Sequence, residues 1–188
     1  MRIILASKSP RRRELLSRIY KEFEIIVSDA DETLPEGRSP SASAEEIALR
    51  KGAAVAAEVG EDALIISSDT MVELAGVILG KPESEDDARR MLSMLSGRVH
   101  NVHTGVAVHY RGRVFSGVDT TRVEFKEVSA EEIDAYVATG EPMDKAGAYG
   151  IQGKGGALVR GYDGDFDTVV GLSLELTERL IGEALKYE

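Results

Sequence analysis

The chain reads as an α/β protein on three observations. Strand and helix patterns alternate along most of its 188 residues, Ser-led helix caps recur at the joins, and neither an internal repeat nor a low-complexity linker interrupts the series. A chain of this length is expected to form one domain with a proper buried core.

The elements follow in order. Ile3-Ile4-Leu5 is a strand, and Ser9 before Pro10 predicts a helix that starts at Pro10 with Ser9 as its N-cap. Its first turn then carries Arg11, Arg12 and Arg13, where the helix dipole favours acids instead. Two readings fit this conflict: an anion held by free backbone N–H groups and guanidinium forks, or a solvated basic turn. Residues 23–27 form a second strand pattern, followed over 28–40 by a loop holding Asp29, Asp31 and Glu32. Ser43 to Glu46 has capping-box spacing, so a second helix is expected from there to about Val59. Lys51 lies on its apolar stripe, which by itself reads as a snorkelling stem.

Residues 63–66 are a continuous apolar run, the mark of a strand buried on both faces, and they end at Ser67-Ser68-Asp69-Thr70. Ligands of open α/β sheets gather beyond strand carboxyl ends, which puts Asp69 and Ser7 in comparable places. Residues 71–74 and 77–79 flank Ala75-Gly76 as a hairpin, with Gly80-Lys81-Pro82 after it. Ser84 to Asp87 caps a helix whose stripe is Ala88, Met91, Leu92 and Leu95. Residues 99–125 form two long antiparallel strands joined at Arg111-Gly112-Arg113. His100 and His103, three apart on a strand, face opposite ways and are not expected to share a metal. Ser129 to Glu132 caps a helix reaching about Ala138. Residues 146–153 are Gly-rich, either a place where backbone approaches a ligand closely or a mobile loop. Residues 157–162 read as a last strand and 172–187 as a closing amphipathic helix.

Composition narrows the chemistry. Without cysteine there is no disulfide frame, thiolate nucleophile or Cys-based zinc site, and with no leader pattern a cytoplasmic location is expected. No apolar run approaches the ~18 residues of a membrane span. The formal charge of −10 argues against long nucleic acid and anionic membranes as partners. Yet residues 1–27 carry seven Lys or Arg against three acids, a compact basic patch suited to a small polyanion such as a nucleotide. P-loop, His-Glu-x-x-His and Gly-x-Ser-x-Gly patterns are absent. The run Asp163-Gly164-Asp165-Phe166-Asp167 fails as a calcium loop, because Thr168 and Leu174 stand where glycine and glutamate are required. What remains is Arg11, Arg12, Lys51 and Lys81 with Glu32 and Asp69 at element ends. That mixture suits phosphate chemistry in which carboxylates hold Mg²⁺ or Mn²⁺ and deprotonate water while cations neutralise phosphate oxygens.

A set of ordered blocks carries a resemblance. They are Leu5-Ala6-Ser7-Lys8-Ser9-Pro10-Arg11-Arg12, Asp31-Glu32, Lys51, Ser68-Asp69-Thr70, Gly80-Lys81-Pro82, Leu95-Ser96-Gly97-Arg98-Val99-His100, Thr104-Gly105-Val106, the run from Asp144 to Gly153, and Val169-Val170-Gly171-Leu172. Together they resemble the Maf family of nucleoside triphosphate pyrophosphatases. The resemblance implies a mixed α/β fold like that of the inosine triphosphate pyrophosphatases: an elongated twisted sheet flanked by helices, with a central cleft between two lobes of a single domain spanning 1–188. It implies cleavage between the α- and β-phosphates, giving the monophosphate and pyrophosphate, with a divalent cation, Mg²⁺ or Mn²⁺. It makes Asp69 the general base and Glu32 a metal ligand or second catalytic carboxylate. Arg12, Lys51 and Lys81, helped by Ser7 and Ser9, become phosphate contacts, so Lys51 moves from snorkelling stem to ligand.

Within the family, Arg11, Thr70 and Gln152 match the dTTP/UTP branch, whereas the 7-methyl-GTP branch has Trp, Gln and Glu there. Gln offers a donor and an acceptor to a neutral pyrimidine, while a carboxylate and an indole suit a cationic purine. Three departures stand out: Lys8 replaces a small residue, Gly52 replaces the usual alanine, and residues 164–168 differ from the usual wording. Nucleoside triphosphates are the expected partners, with a homodimer as a candidate assembly. A nucleotide-sensing regulator of septum formation that does not turn its ligand over is the alternative.

Overall fold

The computed structural model describes residues 1–60 and 62–186 and arranges them around a seven-stranded mixed sheet. Its strands are β1 (Arg2–Leu5), β2 (Glu24–Ile25), β3 (Ala63–Leu74), β4 (Val77–Leu79), β5 (Val99–Tyr110), β6 (Arg113–Phe125) and β7 (Val159–Asp163). They run in the order β2-β1-β3-β5-β6-β7, with β4 pairing to β3. β1 is parallel to both β2 and β3, and every other pairing is antiparallel. The helices are α1 (Pro10–Leu16), α2 (Pro40–Val59), α3 (Glu85–Leu95), α4 (Ala130–Val137), α5 (Phe166–Val170) and α6 (Leu174–Leu185).

Local chemistry sets many of the joins as expected. Ser9, Ser84 and Ser129 cap α1, α3 and α4 through their hydroxyls, and the Ser129–Glu132 box is reciprocal. Both hairpins turn through two left-handed residues, Ala75-Gly76 and Arg111-Gly112, the arrangement that matches strand twist.

Elsewhere tertiary packing overrides the pattern. α2 begins at Pro40, capped by Ser39, so Ser43 is a buried residue inside the helix rather than its cap. The Ser39-Pro40 pair repeats the Ser9-Pro10 signature and wins over the later box. β2 keeps only two of the five residues 23–27, and a 3-10 turn over Lys154–Leu158 delays β7 to Val159. The failed calcium loop caps α5, an unforeseen helix, through the Asp165 carboxylate. The closing helix starts after Ser173 and ends at Leu185; Tyr187 lies outside the described residues. The largest difference is β3, which runs unbroken through Ser67-Ser68-Asp69-Thr70 instead of ending there.

Two large apolar clusters divide the core. Leu92, Leu95 and Phe125 anchor one with α3 and α4, while Leu5, Leu16, Leu64 and Leu180 anchor the other with α1 and α6. α2 crosses β3 and β5 so closely that a Cβ on Gly105 would sit 2.4 Å from the Ala44 carbonyl oxygen. The same crossing explains Gly52, where a Cβ would stand 2.4 Å from the buried His109 ring. Gly52→Ala is therefore expected to destabilise the protein by about 1–3 kcal/mol, read as a lower midpoint of thermal denaturation. An unchanged midpoint would mean that the ring gives way freely. Among the described residues no helix is long and apolar enough to cross a membrane.

Candidate active site

The site is built on a gap in one sheet edge. β1 ends at Leu5 opposite Ile66, and β4 joins β3 only at Val72, opposite Leu79. Among the described residues no strand lies beside 67–71 on that edge, while β5 pairs with them on the other. The chain enters this gap from one direction after β1, with Ser7 and Ser9, and from the other after β4, with Gly80-Lys81. A cleft of about 950 Å³ opens there. Ser7, Ser9, Arg11, Arg12, Glu32, Lys51, Asp69, Thr70, Lys81 and Gln152 all line it. Asp69 thus reaches the cleft from mid-strand rather than from a strand end.

Period-two alternation along β3 sorts the side chains onto two faces. On the α2 face, the Ser67 hydroxyl donates to the Ala48 carbonyl at 2.7 Å and Asp69 Oδ1 accepts from Lys51 Nζ at 2.7 Å. Lys51 Nζ also lies 2.9 Å from Glu32 Oε2, so one ammonium joins both predicted carboxylates. The Lys51 and Asp69 side chains are only 10% and 14% exposed, whereas Glu32 is 58% exposed. Burial pushes the Glu32 carboxyl up, but the hydrogen bond from Lys51 and the charges of Lys51, Lys81 and Arg12 outweigh it and hold Glu32 below the usual range.

On the opposite face, Ser68 donates to the Gly171 carbonyl at 3.0 Å, and Arg12 Nε donates to the same oxygen at 2.9 Å. Arg12 Nη2 donates to Thr70 Oγ1 at 3.2 Å, and Thr70 meets Thr104 Oγ1 at 3.0 Å. Thr104 in turn donates to the Thr168 carbonyl in α5. Thr70 therefore spends its hydroxyl on Arg12 and its neighbours. Burial lowers the Arg12 pKa, opposed by Asp69, yet a guanidinium stays charged at neutral pH.

The three arginines of α1 part company. Arg12 folds inward as described, Arg11 Nη1 lies 3.6 Å from Asp144 Oδ2, and Arg13 is exposed. At the start of the helix the N–H groups of Ser9 and Arg12 donate to the Ser7 and Ser9 hydroxyls, which takes these two backbone donors from any anion there. Lys81 and Gln152 are exposed on the cleft wall, and their side chains make no hydrogen bond with any described residue.

Sequence reasoning missed several supports. Arg50, beside Lys51 on α2, donates through Nη1 to the Thr33 carbonyl at 2.9 Å and the Asp31 carbonyl at 3.5 Å, the two groups that flank Glu32. Its Nε is held by Glu46 at 3.1 Å. Only adjacency to Lys51 hinted at this. The histidines stand apart from the cleft: His100 meets the Tyr149 hydroxyl and His103 the Thr120 hydroxyl. Burial lowers both, His100 to about 4. Among the described residues no trio of His, Asp or Glu is placed to hold a metal; on the cleft wall, Glu32 and Asp69 converge on the Lys51 ammonium.

A mixed α/β sheet whose edge gap gathers cations around a carboxylate pair defines a protein with a ligand-sized cleft that presents charged groups among apolar walls. Residues 2–184 match the family described as Maf-like protein, and the chain belongs to that family. It is 49% identical to a dTTP/UTP pyrophosphatase of Thermococcus kodakarensis, across 95% of this chain and 94% of that one. A dTTP/UTP pyrophosphatase of Moorella thermoacetica is 50% identical across 96% of this chain and 93% of its own. Among solved structures, the Staphylococcus aureus Ham1 protein superposes with a TM-score of 0.55 at 17% identity, covering 100% of this chain and 95% of that one, a likeness of fold.

Proposed function

We propose that this chain is a metal-dependent nucleoside triphosphate pyrophosphatase that hydrolyses dTTP and UTP between the α- and β-phosphates. Relatives carrying that name align over nearly its full length at about half identity. The observation that carries the reading is the Lys51 ammonium held between Asp69 and Glu32 on the wall of a cleft that also presents Arg12, Lys81 and Gln152.

Asp69 takes the proton of the attacking water as the bond between the α- and β-phosphates breaks. Arg12, Lys51 and Lys81, with Ser7 and Ser9, bind the phosphate oxygens and neutralise the charge that grows on the leaving pyrophosphate. Arg11 and Gln152 face the base, and Thr70 acts on selection through Arg12, which its hydroxyl holds. Two hard oxygen donors that already share a cation fit Mg²⁺ or Mn²⁺, ions held through one or two carboxylates together with substrate phosphates. Glu32 and Asp69 would hold that ion, which when bound supplies Lewis-acid polarisation of the phosphate oxygens. We likewise propose one two-lobed domain over residues 1–188, located in the cytoplasm and able to assemble as a homodimer.

Incubation with dTTP, UTP, CTP, ITP and 7-methyl-GTP in Mg²⁺ or Mn²⁺ tests it. Pyrophosphate should appear chiefly from dTTP and UTP. Orthophosphate as the first product, or release only from purines, would overturn the bond or base assignment. Thermal stabilisation by nucleotide with no turnover would make the protein a sensor instead.

A further inference from the structure

The glycine-rich run 146–153 reads in sequence as a place where backbone approaches a ligand closely or as a mobile loop. In the structure it wraps a carboxylate of the protein itself. Glu141 opens the 3-10 turn Glu141–Asp144 and turns its side chain into the curve of residues 150–155. Its Oε2 accepts from the Lys154 N–H at 3.0 Å, and its Oε1 accepts from the Gly155 N–H at 3.1 Å and the Tyr136 hydroxyl at 3.0 Å. The Tyr136 hydroxyl accepts in turn from the Gly150 N–H at 3.2 Å. A single Glu–Tyr pair thereby fixes the backbone on both sides of Gln152.

The glycines are explained by this wrapping. A Cβ on Gly153 would lie 2.5 Å from Glu141 Oε1, and one on Gly155 would lie 2.6 Å from the Tyr136 hydroxyl oxygen. A Cβ on Gly150 would lie 2.6 Å from Lys145 Cε, whose ammonium donates to the Glu141 carbonyl at 2.6 Å. Ile151 packs against both large apolar clusters and anchors the run from below. Gln152, between these fixed points, lines the cleft without a hydrogen bond of its own to any described residue. Its placement comes from the backbone alone.

We infer that Glu141, through Tyr136 and the N–H groups of residues 150–155, is a positioning residue for base selection, holding Gln152 where it reads the nucleobase. The inference rests on the dTTP/UTP reading above. Glu141 suits the task because an ionised carboxylate accepts only, and every group around its oxygens donates. Burial pushes its carboxyl up, but the Gly155 and Lys154 N–H groups, the Tyr136 hydroxyl and the Lys145 charge outweigh that and keep it ionised. The phosphate side of the cleft, with Lys51 on α2 and Asp69 on β3, shares none of these bonds.

The test is a double-mutant cycle read as the ratio of kcat/KM for UTP to that for ITP. Glu141→Gln keeps the volume but turns an amide N–H₂ against the donors. The UTP preference should fall about tenfold or more, carried mainly by KM. Gln152→Ala should lose a similar amount, and the double variant should lose no more than Gln152→Ala alone. Amide hydrogen exchange should quicken over residues 150–155 in Glu141→Gln and stay unchanged over β3. A retained UTP preference in Glu141→Gln, or losses that add in full, would overturn the inference. If the wild-type protein shows no UTP preference, the base reading fails instead, and unchanged exchange over 150–155 would separately remove Glu141 from holding the run.

Discussion

Asp69→Asn lowers turnover of UTP by about two to four orders of magnitude while the protein keeps its fold, the range expected when a general base is removed. The asparagine side chain fills the same volume, and β3 pairs with β5 through Asp69 and Gly105 by backbone groups that the substitution leaves alone. What disappears is a charge. Lys51 Nζ loses the partner at 2.7 Å but retains Glu32 at 2.9 Å, so the lysine stays in the cleft with one carboxylate. Nucleotide affinity should therefore change far less than kcat. Pyrophosphate release under saturating substrate, alongside a thermal melt, separates the two. Wild-type turnover in a folded Asp69→Asn protein would take the general-base role away from Asp69.

Asp69 also marks where the sequence can and cannot be read. Caps and turns were legible because their chemistry is local: Ser9-Pro10, Ser84 and Ser129 with Glu132 each satisfy helix N–H groups within a few residues. Ser67-Ser68-Asp69-Thr70 imitates a strand end because four polar residues in a buried strand need partners that no local pattern displays. Those partners are Ala48, Gly171, Lys51 and Thr104, between 18 and 103 residues distant along the chain. The opposite orientation of Asp69 and Thr70 was implicit in strand alternation, but only once the strand was known to continue. The ten candidate residues line one cleft; charge at element ends singles out Arg11, Arg12, Glu32, Lys51, Asp69 and Lys81, whereas the resemblance gives them their roles and brings in Gln152, whose link to the others lies in the tertiary fold. Arg50 and Glu141 act through backbone groups, contacts that leave no residue-type signature in the segments they hold.

Lys51→Met is expected to separate two roles that one side chain combines. Methionine keeps the buried stem and removes the ammonium that lies between Asp69 and Glu32. Activity toward UTP should fall by about 10²–10³, the usual loss when a cation or donor aimed at developing charge is deleted. Metal binding should move the other way. In the free wild-type protein a divalent ion competes with an ammonium for the same two carboxylates; in the variant those carboxylates face each other uncompensated and gain from any cation. Mn²⁺ titrated without nucleotide, followed by electron paramagnetic resonance, should bind Lys51→Met more tightly than wild type. Stability supplies an independent reading. Because Asp69 is mostly buried, loss of its partner should destabilise the metal-free variant by a few kcal/mol, softened by the exposure of Glu32. Added Mn²⁺ should then raise the thermal midpoint of the variant more than that of wild type, since at a given concentration a ligand that binds the folded state more tightly stabilises it more. Equal Mn²⁺ affinity and equal stabilisation in the two proteins would show that Glu32 and Asp69 do not serve the metal, and would leave Lys51 as a phosphate contact alone.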